Sequence, residues 1–298
     1  MKKLFLLSFG LMMAVTIFAQ SIKVTPALKK GMNKTYTNTT AITTMDQTVN
    51  ITSEQHISIT KETPQGYEMM MESTNFSSDV KDDNLATRLL TIGTEIMKDT
   101  KVLVSLDKDG KLLDIINYEE VKTKCLASGE RMVDELLKAA PEISQVLSKE
   151  AIVEQVAATL TRENLINSLT GSSNPLALFG RTIVNGMQDK YNNSMVDLKR
   201  TWLVNGKKIF ASAKSDMSKE ELKAYVLSQV EKLAPQQADM IKENIDMVLS
   251  SGLVKIEVTE NANYELTDDL WVKSMETTLE NEMMGQKSKT LVKIQLKD

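Results

Sequence analysis

The chain has 298 residues, with 36 Lys and Arg against 40 Asp and Glu for a net charge of −4, and it holds a single Cys and a single His. One Cys excludes an internal disulfide and every multi-Cys metal site, and one His excludes the two-histidine zinc and iron motifs. A mildly acidic chain without a basic tract also excludes nucleic acid as a partner, because counterion release on phosphate needs clustered Lys and Arg.

In chain order, Met1-Lys2-Lys3 is a short positive region, Leu4 to Phe18 is apolar, and Ala19-Gln20 follows as a cleavage point. Charge, apolar run and exit have the form of a secretory signal peptide over 1–19, leaving 20–298 as the mature domain. The apolar run is about 15 residues, short of the roughly 20 that span a bilayer. Gln20 and Ser21 stand where a bacterial lipoprotein would carry Cys. The expectation is an exported protein, periplasmic or extracellular, without a lipid anchor or a transmembrane segment in the mature chain. In such an oxidising space an unpaired thiol is either shielded or used between molecules. The helical setting of Cys125 favours the shielded thiol.

From Tyr36 to Phe76 apolar and β-branched residues alternate with polar ones, as in Tyr36/Asn38/Thr40/Ile42, Ile57/Ile59 and Tyr67/Met69/Met71. Turn signals at Met45-Asp46 and Pro64-Gln65-Gly66 divide this stretch into an antiparallel meander with one wet side. Leu85, Leu89, Ile92 and Ile96 then follow helical spacing. Val102/Val104/Leu106 and Leu112–Ile116 flank Asp107-Lys108-Asp109-Gly110-Lys111, a hairpin, because Asp-Gly supplies the positive φ of a tight turn. Glu119 to about Lys190 reads as mostly helical, with Val121, Cys125, Met132 and Val133 on one helix and Leu165, Ile166 and Leu169 further on. Gly171–Pro175 is the clearest loop. Asn205-Gly206 marks a second hairpin between 197–204 and 207–214. Ser218-Lys219-Glu220-Glu221 forms a capping box opening a helix, Pro235 starts another, and Gly252 stops it. The last residues return to strands, with turns read at Glu260-Asn261, Thr267-Asp268-Asp269 and Gly285, and a clean alternation over Thr290/Val292/Ile294/Leu296.

That order lacks parallel βαβ alternation. It predicts an α+β fold: one large curved antiparallel sheet, built from both the N- and C-terminal meanders, with helices packed on one face. The helix-rich middle covers about 119–252.

Few residues point to chemistry. His56 alternates with Ile57 and Ile59, so it faces water, with no acid or nucleophile implied beside it. Asp107-Lys108-Asp109-Gly110 has a turn's composition, without the Glu an EF-hand needs after its Gly. Asp82-Asp83 and Asp268-Asp269 read as cap and turn residues. Asn-x-Ser/Thr sequons at Asn33, Asn38, Asn50, Asn75 and Asn192 read as ordinary strand and loop sequence. No nucleophile elbow, P-loop or dinucleotide fingerprint occurs, so no catalytic residue, cofactor or metal is expected. The unusual residue is Met, with 18 copies against 6 Phe, 6 Tyr and 2 Trp, including Met69-Met70-Met71 and Met283-Met284. Flexible thioethers either line adaptable apolar surfaces or simply fill a core short of aromatics. On a strand Met69 and Met71 share one face. Met69, Met71, Trp271 and Met275 are therefore the candidate ligand-binding residues.

Leu28-Lys29-Lys30-Gly31 leading into the Thr-rich meander, Asp107–Leu112 leading into Glu119-Glu120-Val121, and Tyr264–Ser274 before a final strand together resemble uncharacterised exported proteins of Gram-negative bacteria. Those have a large sheet and a DxxGKL hairpin. The element order is also similar to that of periplasmic lipoprotein carriers, whose curved sheet cups helices around an acyl-binding cavity; the long helical stretch at 119–190 departs from them. The exported proteins it resembles have no assigned activity. A signal peptide without an anchor, combined with the absence of catalytic motifs, leads to the expectation of a non-enzymatic envelope protein that binds a hydrophobic ligand, lipid or partner surface on its sheet. The alternatives are an interaction module of a cell-surface assembly and a carboxylate-based hydrolase.

Overall fold

The Thr-rich opening folds as three long antiparallel strands, because its β-branched residues alternate between a buried and a wet face. They are β2 (Asn33–Thr44), β3 (Gln47–Thr63) and β4 (Gly66–Ser78), preceded by a short β1 (Ser21–Lys23). The computed structural model describes residues 20–44, 47–79, 85–98, 100–141, 148–192, 196–215, 218–233, 238–250, 256–283 and 286–297. Residues 1–19, read above as a signal peptide, and the expected turn, cap and stop residues Met45-Asp46, Asp82-Asp83, Pro235, Gly252 and Gly285 lie outside the described residues.

Helix α1 (Leu85–Lys98) leads to the hairpin β5 (Lys101–Asp107) and β6 (Leu112–Ile115). Three helices follow: α2 (Tyr118–Ala139), α3 (Lys149–Thr159) and α4 (Arg162–Leu169). A 3-10 turn at Pro175–Leu178 precedes β7 (Thr182–Val184) and β8 (Gln188–Asn192). The second hairpin is β9 (Asp197–Asn205) and β10 (Lys208–Ser215), followed by α5 (Lys219–Leu233) and α6 (Ala238–Ser250). The chain closes with β11 (Ile256–Leu266), β12 (Val272–Met283) and β13 (Gln286–Leu296).

Eleven strands form one sheet in the order β6-β5-β4-β3-β2-β13-β12-β11-β10-β9-β8, while β1 and β7 pair separately. Each neighbouring pair is antiparallel, and β13 lies against β2 from Ser288 opposite Thr44 to Leu296 opposite Tyr36. The two terminal meanders are thus one layer, as the alternation predicts. The sheet's two faces are unlike. On β9 and β10, Leu198, Arg200, Trp202, Val204, Ile209, Ala211 and Ala213 are buried, while Lys199, Leu203, Lys208, Phe210, Ser212 and Lys214 are exposed. The inner face and the helices share a core that takes in Tyr36, Ile57, Met69, Val104, Ile115, Tyr264 and Ile294 from the strands and Tyr118 and Val121 from α2. Leu165, Ile166 and Leu169 of α4 pack against it.

Both predicted hairpin turns form, with Gly110 at φ 88° and Gly206 at φ 60°, where a Cβ would be strained. Asp107 Oδ1 accepts from the amides of Asp109 and Lys111, so this acid serves its turn. The capping box is also present: Glu221 N–H donates to the Ser218 hydroxyl and Ser218 N–H donates to the Glu221 carboxylate. Two expectations fail. Glu260-Asn261 is no turn but the middle of β11, where the period of two continues with Glu260 inward and Asn261 outward. The stretch read as helical up to Lys190 contains β7 and β8, whose Thr182-Ile183-Val184 is a β-branched run suited to pairing with β1.

Candidate functional site

Between the β4–β6 end of the sheet and helices α2 and α4 lies a cavity of about 230 Å³. The sheet contributes Met71 from β4, Val102 from β5 and Ile115 from β6. The spacing of α2 supplies the facing wall, since Val121 and Cys125 are one turn apart. Leu165 and Leu169 repeat the same spacing on α4. One border is polar: Gln55, Ser73, Thr100, Ser168 and Asn174. Larger depressions exist on the outer face, such as one of about 460 Å³ bordered by Thr37, Lys208, Phe210, Glu265, Glu276 and Lys293. Water solvates such charged lining well, so lining chemistry rather than size singles out the inner cavity.

Of the four candidate binding residues, Met71 lines this cavity. Met69 is fully buried in the core beside it. Trp271 is fully buried elsewhere, set edge-on to Phe179 at 5.2 Å, with its indole N–H donating to the Ala27 carbonyl at 3.2 Å. Met275 is buried between Tyr264 and Ile294 on the neighbouring strands and borders the outer-face depression. Cys125 is a free, half-buried thiol, and burial pushes its pKa up. It is only partly buried, packed against the core and lining the cavity, so it is less enclosed than the shielded thiol expected from the sequence. Its i, i+4 partner Val121 carried the sequence signal. Gln55 and Ser73 carried none, because single polar residues on a mostly apolar face look like interruptions.

Arg162 braces the cavity's floor. Its guanidinium lies 4.4 Å from the Tyr118 ring centre and donates to Asp114 at 2.6 Å and to the Ile115 carbonyl at 2.9 Å. The Tyr118 hydroxyl in turn donates to the Leu160 carbonyl at 2.8 Å. These contacts fix the start of α2 and of α4 against β6.

A second, polar cluster occupies the inner face across β8 to β11. Arg200, 2% exposed, forks onto Asp189 at 2.9 and 2.7 Å, and its guanidinium lies 4.3 Å from the ring centres of both Tyr191 and Trp202. Asp189 also accepts from the Trp202 indole at 3.0 Å and from Arg181 at 3.3 Å. Burial acts to raise the Asp189 carboxyl, but the hydrogen bonds and charge of Arg200, with Trp202 and Arg181, hold it below its ordinary value. The buried Glu260 carboxylate accepts from the Ser172 hydroxyl. The Ser172 carbonyl accepts from Tyr264 at 3.1 Å and from Thr277 at 2.7 Å. Burial, reinforced by Glu260, raises the pKa of the Tyr191 and Tyr264 hydroxyls. Small Ala211, Ala213 and Ala262 on the intervening positions leave room for the Ser172 loop to enter. Asp189 and Glu260 are three strands apart in register, about 14 Å, beyond the roughly 5–10 Å over which paired carboxylates cooperate. Among the described residues, no group of three or more His, Cys, Asp or Glu could hold a metal. Among them no helix is long and apolar enough to cross a membrane.

No protein-family model matches the chain, and no curated protein matches it. Among solved structures it is similar to lipovitellin, in a structure described as showing lipid–protein interactions, with a TM-score of 0.40 and 10% identity over 91% of this chain. The likeness spans 26% of that protein, so this chain matches about a quarter of its length. It is also similar to a Bacteroides fragilis protein described as having a YmcC-like fold and, provisionally, as exported. There the TM-score is 0.23 and the identity 7%, over 93% of this chain and 100% of that one. TM-scores this low carry no argument about function, so the cavity's own chemistry decides between readings.

Proposed function

We propose that this is a non-enzymatic binding protein of the cell envelope or exterior that holds an acyl chain or similarly slender apolar group between its sheet and helices. The observation that supports it is the cavity walled by Met71, Val102, Ile115, Val121, Cys125, Leu165 and Leu169. Each methylene moved from water into such a lining gains about 0.8 kcal/mol. Six buried methylenes therefore gain about 5 kcal/mol before the cost of association, which places a single chain in the weak, exchangeable range. The secretion-type residues 1–19 support a setting where lipids are abundant.

Cys125 is a built-in reporter, being the chain's sole thiol and part of the wall. Occupancy by a medium-length chain is expected to slow its alkylation, measured above neutral pH because burial holds the thiol protonated. Native mass spectrometry of protein purified from its own cell envelope should show a co-purifying lipid. Val121→Trp, which fills the cavity, should remove both the protection and the adduct while leaving the far-UV circular dichroism unchanged. Alkylation rates indifferent to every apolar ligand would sink the proposal.

A further inference from the structure

Three segments meet at one end of the sheet, where β5 turns into β6. Residues 20–34 carry β1 and the loop into β2, residues 107–111 form the hairpin turn, and residues 180–184 carry β7. β1 pairs with β7, the Gly180 N–H donates to the Val24 carbonyl at 2.9 Å, and the Val24 N–H donates to the Arg181 carbonyl at 2.8 Å. The turn packs on both: a Cβ on Gly110 would stand 3.1 Å from Pro26, and one on Gly180 would meet the Lys111 backbone at 2.8 Å. Lys23 adds an ion pair to Asp109 at 2.7 Å.

Together these segments hold seven Lys and Arg against two Asp, in a chain whose net charge is −4. No single stretch of sequence shows this, because the fold gathers the charges from three places. Three of the seven are matched: Lys23 by Asp109, Lys34 by Asp269 at 3.7 Å and Arg181 by Asp189 at 3.3 Å. Lys29, Lys30, Lys108 and Lys111 are exposed, with no acid at ion-pairing distance among the described residues. Asp107 has one carboxylate oxygen committed to the turn amides. Glu62, exposed near the end of β3, sets one negative charge against the four.

Lysines crowded together repel one another, and an anion outside the chain relieves them. Lysine is a mobile point charge without the flat fork by which Arg grips a single phosphate. No Phe, Tyr or Trp lies in the three segments to stack on a base. Leu113, 51% exposed, alternates to the same side as Lys111 across buried Leu112, so an apolar side chain projects beside the charges. Diffuse positive charge with one shallow apolar contact fits a plane of many exchangeable phosphates. We infer that this end of the sheet docks on the anionic phospholipid surface of a bilayer. The patch is separate from the cavity, so the inference goes beyond the acyl-chain reading and does not depend on it. Because the rest of the molecule is net negative, the patch also sets the orientation in which it lands.

The test is co-sedimentation with vesicles, using protein that starts at Gln20, where the described fold begins. The apolar 1–19 run would bind bilayers by itself and mask the patch. Vesicles with about one-third phosphatidylglycerol in phosphatidylcholine should bind the protein at about 0.1 M salt, and phosphatidylcholine alone should not. Salt at about 1 M cuts the screening length to about 3 Å and should release it. Each lysine at such a surface is worth about fivefold, so Lys29→Glu with Lys30→Glu should weaken binding more than about twentyfold. Lys98→Glu with Lys287→Glu changes the net charge equally but at the opposite end, at the close of α1 and the start of β13. That pair should bind within about twofold of the parent. Equal binding to phosphatidylcholine, retention at about 1 M salt, or an equal loss in the control pair overturns the inference. Inorganic polyphosphate binding about tenfold more tightly per phosphate than the vesicles overturns it too, by assigning the patch to a soluble polyanion. If the double Glu variant melts below the parent, Lys29→Gln with Lys30→Gln and the salt series decide.

Discussion

Arg200 has its guanidinium between two aromatic rings and its fork on Asp189, with 2% of the residue exposed. Removing Arg200 leaves the Asp189 charge with only the longer Arg181 contact and the Trp202 indole, so Arg200→Met is expected to cost about 3 kcal/mol by urea unfolding at neutral pH. Asp189 titrates lower in the folded chain than the ordinary 3.8 of an aspartate. Its contribution is therefore complete above that value and is lost as the pH falls through the lower folded pKa. The gap between parent and Arg200→Met should accordingly narrow below pH 3.8, and a gap constant with pH would show that Asp189 is not its source. None of this was legible in the sequence. Asp189 and Arg200 lie on neighbouring strands, and an acid in a supposedly helical stretch gives no hint of its partner. Glu260 was misread as a turn residue because Glu-Asn is polar, whereas its neighbours Val258, Ala262 and Tyr264 kept the inward period unbroken.

At the scale of elements, the Gly171–Asn174 loop is held to the sheet by the Ser172 carbonyl, which accepts from Thr277 on β12 and Tyr264 on β11. Each bond is neutral, so Tyr264→Phe and Thr277→Val are each expected to destabilise by about 1 kcal/mol. The double substitution should cost less than the sum, since the first loss already loosens the loop; strict additivity would mean the two donors act independently. The hairpins were plain in the sequence because Asp-Gly and Asn-Gly state their own geometry. Long helices and strands were plain because period outruns noise over ten residues. The short β7 and β8 were not, since three to five residues carry too little period to outweigh their neighbourhood. The cavity was half legible: Met71 was expected on the inner face, but the opposite wall depends on where α2 and α4 land. That is decided by Arg162 and Tyr118 across 44 residues of chain.

Across the whole molecule, the sheet is joined at its centre by β2 and β13, the pairing most distant in sequence. Its outer strands, β6 and β8, are only 4 and 5 residues long, which blunts the edges against pairing with other chains. The vulnerable place is therefore the middle. A chain ending before Gln286 would bare the long flanks of β2 and β12 together. It is expected to lose cooperative unfolding and to aggregate, seen by circular dichroism and size exclusion; a soluble, sharply melting product would show that the two halves are self-sufficient.

The same seam sets a timetable for biogenesis. A ribosome releases β2 to β6 early and must then make 170 further residues, from 116 to 285, before the strand that belongs beside β2 begins. Through that interval the nascent polypeptide carries an open flank in its future midline, and loop closure over such a span is slow. Holding factors that cover an extended threonine-rich segment would thus govern the yield of native protein more than any property of the finished fold.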